Sequence, residues 1–367
     1  MDPRIREHAE IVVEHSLDVA AGDDVVVAAP AVAEDLVVAV YELLADVGAN
    51  PVAATSPLEG RTNPRAARAY LGNREEFETP AHHKALFEAA DAFLVVRAFE
   101  NVAEVADLDP TRMTAASKAQ RPIQEERLSK RWCLTQFPAM GNAQLAGMST
   151  GAYENFVWDA IIRDWEAQRE HQAEMVEILN AADEVRITSG AETDVRMSVA
   201  GNHTLNDYGE RNLPGGEVFT APVADSVEGE VLFDKPLYHN GREVTDVYLH
   251  FEGGEVVDHA AAKNEDLLAA ILETDDGARR LGELGIGMNR GIDQFTYNML
   301  FDEKMGDTVH MAVGSAYAET VGEGNERNES AMHVDMIVDM AEESRIEVDG
   351  EVVQRDGTFR FEDGFEQ

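Results

Sequence analysis

The sequence predicts an α/β protein in two parts: an N-terminal doubly wound α/β domain over residues 1–182 and a C-terminal α+β domain with hairpins over residues 183–367. Three observations carry this expectation. Strand-length apolar runs alternate with helix-spaced stretches through the first half, the pattern of a parallel sheet with crossover helices. The second half turns to period-two alternation, broken by the two-residue turn signals Asn240-Gly241 and Asp349-Gly350. The chain, at 367 residues, also exceeds what one hydrophobic core usually organises.

Each element has a local cause. Asp2 offers an N-cap with Pro3 at the first helical position, and Ile5, Ala9, Val12, Val13 and Leu17 keep helical spacing. Gly22-Asp23-Asp24 breaks that helix, and Val25-Val26-Val27-Ala28 predicts a buried strand. A second helix carries Leu36, Val40, Leu43, Leu44 and Val47 and stops at Gly48; a strand from Val52 to Thr55 follows Pro51. Ala81–Ala90 predicts a helix, and Phe93-Leu94-Val95-Val96 another strand. A long amphipathic helix with Ile161, Ile162, Trp165, Met175, Ile178 and Leu179 closes the first half near Ala182. Glu184–Val199 then alternates as a hairpin around Gly190-Ala191-Glu192. Leu237-Tyr238 and Val244–Phe251 flank Asn240-Gly241, while Ile346–Val348 and Val352-Val353 flank Asp349-Gly350. Helices are predicted at Asn264–Leu272 and Asp275–Leu281.

The charge balance excludes whole classes of partner. There are 71 acidic residues against 30 basic ones, a formal net charge of -41. Phosphate backbones and anionic lipid surfaces are bound through lysine and arginine, so neither nucleic acid nor a membrane surface is an expected partner. The acidity is spread along the chain rather than blocked, which points to whole-surface adaptation to high salt, a halophilic protein. No run approaches the ~20 apolar residues of a membrane span. Met1-Asp2-Pro3-Arg4-Ile5-Arg6-Glu7 has no apolar core of a signal peptide, and Cys133 is the sole cysteine. A cytoplasmic location without disulfides is expected.

Residues with metal-ligand chemistry gather in the second half. Glu217 follows Gly215-Gly216 at the head of an apolar run, and Glu283 sits among Gly282, Gly285 and Gly287. His310 lies in Asp307-Thr308-Val309-His310-Met311-Ala312, with Tyr317 seven residues on. In His333-Val334-Asp335 the outer two side chains share a face if the segment is a strand. Taken singly, each is ordinary: a Glu after two glycines is usually a surface turn carboxylate, and a lone strand His is usually solvated or satisfied. Together they are six donors, more than the roughly three that one catalytic zinc needs. Two ions sharing a carboxylate suit the inventory better.

Four segments resemble the M29 family of metalloaminopeptidases. They are Leu213-Pro214-Gly215-Gly216-Glu217-Val218-Phe219-Thr220-Ala221-Pro222, Glu283-Leu284-Gly285-Ile286-Gly287-Met288-Asn289, Asp302-Glu303-Lys304-Met305-Gly306-Asp307-Thr308-Val309-His310, and His333-Val334-Asp335. Their order and approximate spacing follow the family pattern, and the similarity runs over nearly the whole chain. The resemblance implies that Glu217, Glu283, His310, His333 and Asp335 ligate metal, with Tyr317 on or beside it. It further implies two divalent ions (zinc, cobalt or manganese), peptide substrates with a free N-terminus, and a homodimer. Glu283 is then the expected proton acceptor, and the Tyr317 hydroxyl a donor to the oxyanion. Asp302, Glu303 and Lys304 are expected to orient ligands from behind. Met288, where a small residue is expected, and Asp307 depart from the pattern locally.

Two other classes compete. Gly147-Met148-Ser149-Thr150-Gly151 matches the nucleophile elbow of serine hydrolases, but that motif requires a strand running directly into it. Ser149 or Thr150 is better explained as a helix N-cap. A non-enzymatic protein holding a small ligand at the switch point of the first domain is the other alternative. His8, His15, His82 and His83 are expected to be surface histidines.

Overall fold

A computed structural model describes residues 2–56, 62–239 and 241–366. The chain divides into two compact units, Met1–Arg163 with Gly209–Gly215, and Asp164–Tyr208 with Gly216–Gln367. The division thus falls ahead of the expected boundary at 182/183. Asp164 starts a new helix, Trp165–Asn180, by accepting a hydrogen bond from the Ala167 amide, so the single long helix expected here is two helices. Gln168 and Gln172 of this helix bond to Met288 O at 3.1 Å and Glu217 O at 3.0 Å, which ties it to the second unit.

The first unit holds a five-stranded parallel sheet in the order Asn50–Ala53, Asp24–Ala28, Ala92–Arg97, Arg131–Gln136, Asn212–Leu213. The chain reverses its direction of growth between the second and third of these, as a doubly wound sheet does. The strands are apolar runs because both faces are covered: Val26, Phe93, Leu94, Val96 and Cys133 are all buried. Asp2 caps the first helix through the Arg4 amide, and Gly48 ends the second in the left-handed conformation at φ 85°.

Two of the presumed surface histidines are interior. His8 is fully buried, with Nε2 2.8 Å from the Thr135 hydroxyl, whose own proton goes to Leu213 O. His83 is buried edge-on against Phe87. Burial without a charged partner drives the His8 pKa down to about 3, so the ring is neutral.

The second unit contains an eight-stranded antiparallel sheet, Glu255–Ala260, Val247–Glu252, Glu228–Phe233, Thr193–Ser198, Glu184–Ser189, Ser344–Val348, Glu351–Arg355, Thr358–Phe359. A five-stranded antiparallel sheet runs His333–Asp339, Thr308–Gly314, Leu281–Gly287, Glu217–Thr220, Leu205–Asp207. Of the two hairpin signals, Asp349-Gly350 lies between paired strands as expected. The strands around Asn240-Gly241 pair, His239 opposite Arg242, while Asn240 itself lies outside the described residues. The strand expected over Val244–Phe251 is broken: Arg242–Val244 stays in that short hairpin and Val247–Glu252 joins the large sheet.

One apolar core serves both sheets of this unit. Val185, Ile187, Val195, Val231, Phe233 and Leu249 contribute from the larger, and Val218, Leu284, Ile286, Val309, Met311, Val334 and Met336 from the smaller. Burying each such side chain stabilises the fold by roughly 1.5–3 kcal/mol relative to exposure. Because side chains alternate along a strand, committing Val218, Leu284, Val309, Met311 and Val334 to the core sends their neighbours to the opposite face. That opposite face is where the polar donors stand.

Candidate metal centre

Strand pairing assembles the site across four neighbouring strands. Glu217 pairs with Gly287, Phe219 and His310 each pair with Gly285, Glu283 pairs with Ala312, and Ala312 with Asp335. Gly314 pairs with His333. These positions are two residues apart on each strand, so Glu217, Glu283, His310, His333 and Asp335 share one face. A register slip of one residue on any strand would exchange its donors for core residues.

Two glycines make the approach possible. At Gly216, φ is +118°, and a β-carbon would meet Asn289 Cβ at 2.3 Å, so the turn that delivers Glu217 demands glycine. At Gly285 a β-carbon would lie 2.0 Å from His310 Nε2. The imidazole therefore lies over bare backbone.

The donors form two overlapping triads, Glu217–Glu283–His310 and Glu283–His333–Asp335, with ligand atoms in each within 4.8 Å of one another. His310 Nε2 is 3.1 Å from Glu283 Oε1 and 3.3 Å from Glu217 Oε2. His333 Nε2 is 3.7 Å from Glu283 Oε2 and 3.4 Å from Asp335 Oδ1. Glu283 is thus the common member. Glu217, Glu283 and His310 are buried, while His333 keeps 25% of its side chain exposed, so access is from the His333 side.

Among the described residues, Glu217 Oε2, Glu283 Oε2 and Asp335 Oδ1 are buried with no well-formed hydrogen bond, the nearest imidazole nitrogens of His310 and His333 standing 3.3, 3.7 and 3.4 Å away. Carboxylate oxygens held this way are costly unless a cation faces them. Two carboxylates and one imidazole per triad form a donor set suited to zinc, cobalt or manganese. The residues present therefore fit divalent metal.

The protons on these groups follow from crowding. Burial pushes the Glu217 carboxyl up to about 8, against the pull of Lys304 and His310. Burial likewise raises Glu283, partly offset by its bond to His310. Burial resists charge on His310, yet the Glu283 hydrogen bond and the Glu217 charge carry it up to about 9. For His333 burial is again outweighed, here by Asp335 first, and its pKa rises to about 10. Burial also opposes charge on Asp335, but the facing His333 holds it below the usual carboxylate range.

Tyr317 is the sixth sequence candidate, and its ring lies beside His333 of the second triad. Its ring packs edge-on against His333 and Phe219, with centroids 5.1 and 5.9 Å away. The residue as a whole is half exposed at the open side, but its hydroxyl is desolvated, and that together with the nearby carboxylates keeps it protonated.

The Asp302-Glu303-Lys304 segment divides. Asp302 organises its own loop, accepting from the Thr296 amide and hydroxyl at 2.8 and 2.7 Å and from the Asn298 amide at 2.9 Å. Lys304 is fully buried, with Nζ 3.0 Å from Glu217 Oε1, 3.7 Å from Asp207 Oδ2, and paired with Glu303. Asp207 was not singled out from the sequence. It arrives because its strand pairs with the Glu217 strand, residue for residue, and a three-residue strand carries little periodic signal. The two departures from the family pattern leave the donors in place: Met288 joins the apolar core, and Asp307 turns at φ 59° beside Arg290.

Ser149 has a different task. Its hydroxyl accepts from the Ala152 amide at 3.2 Å as the N-cap of Thr150–Ile161. The element before it is a helix, Met140–Leu145, so the elbow geometry is absent.

Comparison with known proteins agrees with the geometry. The chain is 32% identical over 295 residues to aminopeptidase T of Thermus aquaticus, covering 68% of this chain and 70% of that one. It is 30% identical over 276 residues to aminopeptidase AmpS of Bacillus subtilis, covering 63% and 66% respectively. The structure of wild-type AmpT from Thermus thermophilus superposes with a TM-score of 0.85 at 27% identity, over 98% of this chain and 99% of that one. The family model described as thermophilic metalloprotease (M29) matches residues 1–364, and the chain belongs to the M29 peptidase family.

Proposed function

We propose that this metal-dependent aminopeptidase removes N-terminal residues from peptides with two divalent ions, Glu283 being the ligand they share. The supporting observation is that Glu283 alone belongs to both donor triads on one sheet face. Glu217 and His310 would complete one ion position, and His333 and Asp335 the other. Bound there, two divalent ions supply a Lewis acid for the scissile carbonyl and lower the pKa of water to give hydroxide at neutral pH.

The remaining chemistry belongs to side chains. Glu283, the buried carboxylate common to both triads, is the group we assign to take the proton of the attacking water. The Tyr317 hydroxyl, kept protonated at the open rim, donates a hydrogen bond to the oxygen that gains charge. Phe219, edge-on to Tyr317, lies on the same face and offers an apolar contact for the substrate. Zinc, cobalt and manganese all suit the donors. Cytoplasmic location, a homodimer and a requirement for high salt belong to the same proposal.

The test is release of leucine from leucyl p-nitroanilide in multimolar KCl, after EDTA and after adding back zinc, cobalt or manganese. Activity restored by metal, and lost in Glu217→Gln and His333→Ala, supports the proposal. Activity that survives chelation and both substitutions rejects it. Light scattering at the same salt reports the subunit number.

A further inference from the structure

The two triads have the same donor chemistry, two carboxylates and one imidazole, with Glu283 in common. Their surroundings differ in three ways. Lys304 brings a buried ammonium to 3.0 Å from Glu217 Oε1, whereas among the described residues Asp335 and His333 form ion pairs with each other and with Glu283, not with a lysine or arginine. A divalent ion beside Glu217 feels that charge in a water-poor interior, where repulsion is several times stronger than in bulk water. Glu303 and Asp207 pair with the same ammonium and offset part of its charge, but it is the ammonium that is in hydrogen-bond contact with Glu217, at 3.0 Å.

The second difference is in available oxygens. Glu217 Oε1 is committed to Lys304, leaving only Oε2 for an ion. The third is in how the imidazoles are braced. His333 Nδ1 faces Ser315 O at 2.8 Å, which fixes its tautomer and aims Nε2 at Glu283 and Asp335. His310 Nδ1 is buried with no hydrogen-bond partner among the described residues. An imidazole whose second nitrogen donates to a carbonyl is the better oriented and more basic ligand.

All three differences have the same sign. We infer that Lys304 and the uneven bracing make the two ion positions unequal: Glu283–His333–Asp335 is the tight one, and Glu217–Glu283–His310 the weaker, exchangeable one. The inference rests on the two-ion proposal above, and the test separates the two. Metal-free full-length protein is titrated with Co2+, followed by calorimetry and by visible absorption of the bound ion.

Wild type is expected to bind in two steps separated by about a hundredfold. Glu217→Gln should abolish the weaker step and spare the tighter one, whereas Asp335→Asn should weaken the tighter one. Lys304→Met should bring the steps together by about tenfold or more, and Lys304→Arg should keep them apart. If Lys304→Met fails to fold by circular dichroism, the two carboxylate variants still decide the order of the steps. Two ions with indistinguishable constants, or the tighter step lost in Glu217→Gln, would overturn the inequality while leaving the two-ion site intact. A single ion in wild type would overturn both.

Discussion

The His310 imidazole rests on the α-carbon of Gly285 in the adjacent strand, so closely that a β-carbon there would lie 2.0 Å from Nε2. Gly285→Ala must therefore displace the ring that faces both Glu217 and Glu283. Metal affinity is expected to fall by about 10–100-fold, the size of effect seen when a ligand loses its orientation. Equilibrium dialysis with Zn2+ measures it; unchanged binding would mean the ring has another place to go.

Metal binding should release protons. His310 and His333, at about 9 and about 10 in the metal-free protein, are protonated at pH 7, and a ligating imidazole must be neutral. Affinity is therefore expected to climb as pH rises from 7 towards 9–10. Calorimetry in buffers of different ionisation enthalpy reads the protons directly, and a buffer-independent heat would contradict the expectation.

His8 predicts an acid-side loss of stability. Its folded pKa, about 3, lies below the unfolded value near 6.5, so the unfolded chain takes up a proton that the folded chain refuses. The contribution is fully present above pH 6.5 and declines as pH falls towards 3, by about 1.4 kcal/mol per pH unit. Denaturant midpoints of wild type and His8→Gln between pH 4 and 7 should converge as the pH falls. Parallel curves would show that His8 does not titrate in this way.

Ser149→Ala should leave peptide hydrolysis unchanged and lower stability by about 1 kcal/mol, because the hydroxyl caps a helix. A large loss of turnover with the fold intact would return Ser149 to the chemistry.

The formal charge of -41 implies strong self-repulsion in dilute buffer. Dialysis from multimolar KCl into about 10 mM salt, where screening reaches ~30 Å, should lower the thermal midpoint substantially. A midpoint unmoved by salt would remove the halophilic component of the proposal.

Much of this was legible in the chain because the relevant physics is local. The alternation Val309-His310-Met311 and Val334-Asp335-Met336 already separates a core face from a donor face, and Gly215-Gly216 before Glu217 already marks a turn. The cap at Asp2 and the stop at Gly48 are likewise local. Periodicity and turn chemistry thus determined the α/β class and most kinds of element. Asp275–Leu281, expected as a helix, is instead a 3-10 turn over Asp276–Arg279 before the strand Leu281–Gly287, and it was the family resemblance that singled out the donors.

Strand order depends on contacts between residues far apart in sequence, and only the tertiary structure decided it. Placing the Leu281–Gly287 strand between the Glu217 and His310 strands makes Glu283 the shared member of two triads. It also brings Asp207 alongside Glu217, while Lys304 is fully buried against both carboxylates. The same holds for His8, whose burial against Thr135 joins positions 127 residues apart. A residue's own neighbours in sequence set which face it takes, but the partner strand sets what it meets there.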